Sequence, residues 1–339
     1  MSDAIIEISP LGAPPWQTSD PFLFCVHHLD NYPEGNEEMG PDSNLLTGRN
    51  LGNDFSGKDG WSMYHGQTVP GFPQHPHRGF ETVTIARQGF IDHTDSLGAK
   101  ARFGEGDVQW MTAGEGIVHS EMFPLVNRDE PNPTELFQIW LNLSADNKLV
   151  DPHFAMFWNG DVPKETFVDD DENETTLTVI AGTCDGLTPP EPPPESWASE
   201  ADNHVAIWTI ELEPDANWTL PTASEKANRS MYVFDGGGLT IGDRQIPNGR
   251  RVQVDPTQSL DITNGDEPTE ILVLQGRPID EPVAQQGPFV MNYPGEIREA
   301  MLEYRKTRFG GWPWDQEAPV HPRDEGRFAV HIDGREEKP

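Results

Sequence analysis

Residues 71–123 read GFPQHPHRGFETVTIARQGFIDHTDSLGAKARFGEGDVQWMTAGEGIVHSEMF, and two short pairs frame them: His75 with His77 near the start, His119 with Glu121 near the end. Alternate side chains of an extended strand point to the same face, so each pair presents both of its groups to one side. If the two strands meet inside a barrel, three imidazoles and a carboxylate converge on one point, and the pattern predicts a metal site. Three neutral imidazoles with one carboxylate suit a divalent first-row metal such as iron, manganese, cobalt, nickel or copper, and leave positions open for oxygen or substrate. Thiolates are absent from the set, which excludes a structural zinc site of the cysteine type.

Between the pairs lie strand-like runs, Thr82 to Ala86 and Val108 to Met111, separated by Gly89, Gly98, Gly104 and Gly106. Turn signals at that spacing belong to sandwiches and barrels. Gly114 and Gly116 permit a tight turn before the strand that delivers His119. His93, Asp95 and Ser96 in HTDSLG either form a plain turn or line the entrance and hold second hydrogen bonds around the site. The run Glu135 to Leu143 reads as a buried strand, with Phe137 and Trp140 in the core. His27 and His28 are adjacent on a strand and face opposite ways, so both cannot serve one site; they read as structural or surface groups. His65 is a better candidate for a supporting position around the metal, against a hydrogen-bonded loop role.

Downstream, the acidic run DDDENET (169–175) has nothing to bury and lacks the spaced ligands and glycine of a calcium loop. Residues 184–203, rich in proline and acid, read as a linker. A second block of alternating strands runs from His204 to about Gln275 and suggests an internal duplication of fold, without the chemistry: no histidine lies between His204 and His321. The segment 294–308, PGEIREAMLEYRKTR, is the best helix, with Ile297, Met301, Leu302 and Tyr304 at near-helical spacing and Gly310 and Gly311 to stop it. The tail after Trp312 is polar, and His321 and His331 are expected to be solvent-exposed.

The expected division is an N-terminal metal-binding domain (1–182), a linker (183–203), a C-terminal domain without metal ligands (204–311) and a polar tail (312–339). Length supports two domains, and 32 Gly with 32 Pro among short alternating runs favours an all-β chain with few short helices. Against 57 acidic residues stand 23 basic ones, a formal net charge of -34, so a nucleic-acid partner is not expected. Dense carboxylates also fit a high-salt habitat, in which case the fold is lost on dilution into low salt; unchanged melting between low and molar salt marks ordinary acidic solubility. Cys25 and Cys184, far apart, read as buried small residues in a reducing compartment. With no leader-like segment or apolar span, a cytoplasmic location, no membrane partner and a monomer are expected.

The stretches HPHRGFETVT, HTDSLG, GDVQWMTAGEGIVHSEM, ELFQIWLNL and GRPIDEPVAQQGPFVMN resemble the signatures of the pirin family in the cupin superfamily, over most of residues 20 to 310. The resemblance implies two cupin barrels (double-stranded β-helix, jelly-roll) in tandem, with one divalent metal, Fe(II) first and Mn, Co, Ni, Cu or Zn after it, in the N-terminal barrel. Carried over, the ligands are His75, His77, His119 and Glu121. Many other cupins place the carboxylate soon after HxH, where this chain has Glu81, so Glu81 stands as the competitor. The family implies a quercetin 2,3-dioxygenase-type oxidoreductase that opens a flavonol or related enol or phenol with O2. In that reaction Glu121 serves as ligand and proton acceptor, and Phe80, Trp110 and Met111 supply apolar walls. The alternative is an iron-binding, redox-responsive regulator acting through a protein partner.

Overall fold

The computed structural model describes residues 4–339. In chain order the strands are β1 (Ile5–Pro10) and β2 (Phe22–Tyr32), then β3 (Gly71–His77), β4 (Phe80–Gln88), β5 (Phe90–Asp95), β6 (Lys100–Gly104), β7 (Asp107–Thr112), β8 (Ile117–Met122), β9 (Asn132–Asn142) and β10 (His153–Phe157). There follow β11 (Lys164–Val168), β12 (Glu174–Ala181), β13 (Ala206–Leu212), β14 (Asn217–Leu220), β15 (Asn228–Gly236), β16 (Leu239–Ile241), β17 (Arg244–Ile246), β18 (Arg250–Val254), β19 (Leu260–Asn264) and β20 (Thr269–Gly276). The chain closes with β21 (Ala284–Gln286), β22 (Phe289–Met291), helix α1 (Pro294–Thr307), β23 (Phe328–Val330) and β24 (Glu336–Glu337). Among the described residues no helix is long and apolar enough to cross a membrane.

The chain folds as two compact units. The site-bearing unit comprises 27–139, 143–159 and 281–339. Its sheets run β10-β7-β4-β9-β2 and β24-β23-β6-β5-β8-β3. Ala86, Leu136 and Met156 from the first sheet meet Ile91, Phe103 and Ala329 from the second in one buried core. The other unit comprises 1–26, 140–142 and 160–280, with sheets β1-β18-β15-β20-β13-β12-β11 and β14-β19-β16-β17. Its core joins Met231, Val252 and Val273 to Trp218, Leu239 and Ile262. Each unit thus holds antiparallel sheets about one core, as the expectation of two cupin domains in tandem requires, although the sheets do not close into full barrels.

The compact units differ from the linear boundaries at 182, 203 and 311. Strand β1 pairs antiparallel with β18, and β12 pairs with β13, so the first residues and 164–181 join the later sheet by backbone hydrogen bonding. Residues 183–203 lie wholly inside that unit rather than between the two. The tail after Trp312 is likewise part of the site-bearing unit: β23 pairs with β6. His321 and His331 are 6% and 9% exposed, which corrects the expectation that they face solvent. For His321 the reason is a buried arginine, while His331 is covered by the Phe154 ring, 5.2 Å from its own, and bonds Glu337. Arg102, 1% exposed, donates from Nε and Nη2 to the two Asp92 oxygens at 2.7 Å each, and from Nη2 and Nη1 to the carbonyls of His321 (2.9 Å) and Pro322 (2.8 Å). Asp92 also accepts the His321 N–H at 2.7 Å.

Two glycines shape the approach to β8. Gly114 (φ +48°) would place a Cβ 2.1 Å from the Val150 carbonyl, and Gly116 (φ +139°) would place one 2.6 Å from the Phe309 ring. Helix α1 starts at Pro294, and the Glu296 carboxylate accepts the Tyr293 N–H at 2.9 Å. Ile297 and Ala300 are buried, with Met301 and Tyr304 packed beside them; Leu302, expected on that face, is 62% exposed.

Removing one partner of a buried ion pair strands the other charge, at a cost of about 3–5 kcal/mol. Arg102→Met is therefore expected to lose about that much stability in urea denaturation, and Arg102→Met with Asp92→Asn to recover part of it. A single variant as stable as the parent would show that the tail is held by other contacts.

Candidate metal centre

Strands β3 and β8 pair antiparallel with His75 opposite His119 and His77 opposite Ile117. A register shift between Phe72 and His75 then sets Phe72 opposite Glu121. On the far side of β8, β5 places His93 opposite Glu121 and Asp95 opposite His119. The two-residue spacing on β3 and on β8 thus does what strand periodicity requires, and the ladder brings the pairs together.

The potential ligand atoms of His75, His77 and His119 lie within 4.8 Å of one another; His77 and His119 are buried and His75 is partly exposed. His75 Nδ1 donates to the Pro73 carbonyl at 2.9 Å, which leaves the Nε2 lone pair available. That atom is 3.0 Å from His119 Nε2. Two cis ligands on a metal with bonds of about 2.1 Å also sit about 3.0 Å apart. His119 Nδ1 is buried and makes no hydrogen bond, so nothing else fixes its tautomer. His77 takes part in a backbone hydrogen bond at Pro288. Burial pushes His75 down to about 4 and holds His77 and His119 well below the usual histidine range, so all three are neutral near pH 7. Neutral nitrogen donors packed this closely are what a divalent metal requires, and the residues fit one.

Glu121 is beside this cluster. Its Oε2 is 3.7 Å from His119 Nε2, and it accepts long hydrogen bonds of 3.4 Å each from Thr84 Oγ1 and Gln138 Nε2. Burial pushes its carboxyl up to about 7. Glu81, the competitor, is also buried; its Oε1 accepts from Thr112 Oγ1 at 2.7 Å, its own partner across the β4–β7 ladder.

Around the centre, the Phe80 ring is 5.0 Å from His77 and the Phe72 ring 6.3 Å from His75. Trp110 packs on Phe157, and Met111 with Ala113 and Ile117. The HTDSLG segment serves as both turn and support. Asp95 Oδ1 accepts the Leu97 and Ala99 N–H groups, while Oδ2 is 3.3 Å from His93 Nε2. The His93 ring stands 5.5 Å from that of His119. His65 is exposed and hydrogen-bonds the Gly52 carbonyl, so it holds a loop. His27 bonds Glu135 and stacks on Phe137, and His28 bonds the Tyr64 hydroxyl; both are structural, as their adjacency implies. Sequence reasoning did not single out Thr84, Gln138, Pro73 or Pro288. Thr84, Gln138 and Pro288 had a signal, since they lie within HPHRGFETVT, ELFQIWLNL and GPFVMN; Pro73 had none.

With the geometry in view, comparison with known proteins is informative. The family model for pirin matches residues 13–141, and that for the pirin C-terminal cupin domain matches residues 207–310. A Pseudomonas aeruginosa protein named "Putative quercetin 2,3-dioxygenase" is 35% identical over 245 residues, 70% of this chain and 79% of the relative. Rattus norvegicus "Pirin" is 30% identical over 257 residues, 73% of this chain and 80% of the relative. The crystal structure of a quercetin 2,3-dioxygenase from Acinetobacter baumannii superposes with a TM-score of 0.68 at 26% identity, covering 91% of this chain and 96% of that one.

The buried imidazoles carry a pH signature in metal-free protein. Unfolded, His75 titrates near 6.5; folded, it titrates near 4. Between those values the unfolded chain binds more protons, so the fold loses stability as pH falls. With a chelator present, the parent is expected to lose roughly 1–2 kcal/mol more than His75→Asn on going from pH 7 to pH 5. Urea denaturation at the two pH values measures it; equal losses would mean that His75 is solvated.

Proposed function

The chain belongs to the pirin family, and we propose that it is a metal-dependent dioxygenase of the quercetin 2,3-dioxygenase type, with His75, His77, His119 and Glu121 holding one divalent metal, Fe(II) foremost. The observation that carries the reading is the convergence of three neutral imidazoles beside a carboxylate poised near neutral pH. Two of the relatives above bear the quercetin dioxygenase name, which supports the same substrate class. When bound, the metal supplies the Lewis-acid and redox chemistry through which dioxygen reacts with an electron-rich enolate.

The chain's own residues supply the rest. Glu121 Oε2, 3.7 Å from His119 Nε2, is placed to accept the proton of the substrate hydroxyl and to return it later. Thr84 Oγ1 and Gln138 Nε2 hold that carboxylate from behind. The rings of Phe72 and Phe80 flank the histidines and suit a flat phenolic body. Glu121 is favoured over Glu81 because its Oε2 is 3.7 Å from His119 Nε2, whereas Glu81 accepts from the Thr112 hydroxyl on the neighbouring ladder.

Aerobic turnover of quercetin with release of carbon monoxide is expected, and its loss in His75→Ala and His119→Ala. Metal-replete protein that consumes no oxygen across a panel of phenols would remove the enzymatic reading and leave a metal-binding regulator. Glu121→Ala is expected to lose bound metal while Glu81→Ala keeps it; full loading of Glu121→Ala overturns the ligand assignment. Because Glu121 must ionise to coordinate, metal binding should release most of one proton at pH 6 and almost none at pH 8, a difference that calorimetry in two buffers reads directly.

A further inference from the structure

The unit without the histidine cluster contains a cavity of about 630 Å³, roofed by the proline-rich segment after Ala181 and floored by β13, β15 and β20. At its floor is Arg229, 1% exposed. The guanidinium donates from Nε to Gln275 Oε1 at 2.7 Å and from Nη1 to the Pro221 carbonyl at 2.6 Å. Both acceptors are neutral. Nη2 makes no hydrogen bond, and no carboxylate among the described residues forms an ion pair with Arg229. A buried charge without a counter-charge is costly, and proteins retain one chiefly where a partner arrives from outside.

Its place in the fold sharpens the point. Strand β4 lies between β7 and β9 in one unit, and β15 lies between β18 and β20 in the other. Both strands have nine residues, and the second is Glu81 in one and Arg229 in the other. The duplicated fold thus carries a buried cation where its counterpart carries a buried carboxylate.

We propose that this cavity is a second ligand site, specific for a small aromatic monocarboxylate held by Arg229. A planar guanidinium fork matches a carboxylate with two parallel hydrogen bonds. The rest of the lining is mixed: Trp208, with its ring 5.7 Å from the Arg229 carbon, Val205, Pro190 and Pro221 offer apolar surface, and Thr183, Ser199 and Thr222 offer hydroxyls. The exposed carboxylates of Asp185, Glu191 and Glu200 also border the cavity and repel any anion, a dianion such as phosphate more strongly than a monocarboxylate. The metal ligands play no part in this site.

Isothermal titration of the full chain with benzoate tests the proposal. Saturable binding is expected, at least tenfold weaker in Arg229→Met, weakened in Ala198→Trp, which fills the cavity and keeps the arginine, and unchanged in His75→Ala. Benzamide, of the same shape without charge, is expected not to bind. Failure of the parent to bind benzoate, equal binding by Arg229→Met, or loss in His75→Ala in its place would overturn the assignment. Phosphate binding more tightly than benzoate would overturn the monocarboxylate class. Should Arg229→Met fail to fold, Ala198→Trp decides the question, since undiminished binding there excludes the cavity.

Discussion

The pairing of β3 with β8 is the constraint on which the site depends. An antiparallel ladder fixes which residues stand opposite one another, and here it sets His75 against His119. One residue of slip on either strand would turn the imidazoles to the opposite face. The register is held at both ends. Gly114 and Gly116 allow the turn into β8 at a place where any side chain would meet Val150 or Phe309, and the shift between Phe72 and His75 brings Glu121 level with an aromatic ring. Backbone geometry thereby selects the donor set before any metal is present.

The donor set is also shaped by desolvation. Three imidazoles in one buried place cannot all be charged, and burial keeps them as neutral donors while raising the Glu121 carboxyl toward neutrality. The two shifts work in the same chemical direction: each makes the site less charged when metal-free, and so lowers the repulsion that assembling it would otherwise incur. A divalent ion reverses the balance, because it turns the lone pairs and the carboxylate into favourable contacts.

Much of this was legible in the sequence because it is local. Period-two spacing at His75/His77 and His119/Glu121, glycines before β8 and alternating runs after His204 are all statements about neighbours, and strands turn neighbours into faces. What was not legible depends on long-range pairing. His321 looks like a residue of a polar tail until Arg102 and Asp92 are seen to bind its backbone, and His331 until Phe154 and Glu337 are seen beside it. Residues 183–203 look like a linker because prolines and acids have nothing nearby to pack on; their partners are strands that follow much later in the chain. Nor does strand periodicity separate Glu121 from Glu81, since both lie at the correct parity; that they have different hydrogen-bond partners becomes visible only once the ladders are known.

The site-bearing unit is discontinuous, built from residues 27–139 and 143–159 and again from 281–339. A ribosome releases the first portion, with all three histidines, long before the helix and the strand that complete its core. Until those residues are made, Asp92 and Arg102 lack the His321 backbone as a partner and no Phe309 ring lies over Gly116. The unit that interrupts them in sequence has its own core. The groups that complete the core around the three histidines thus lie beyond a whole second unit in the sequence.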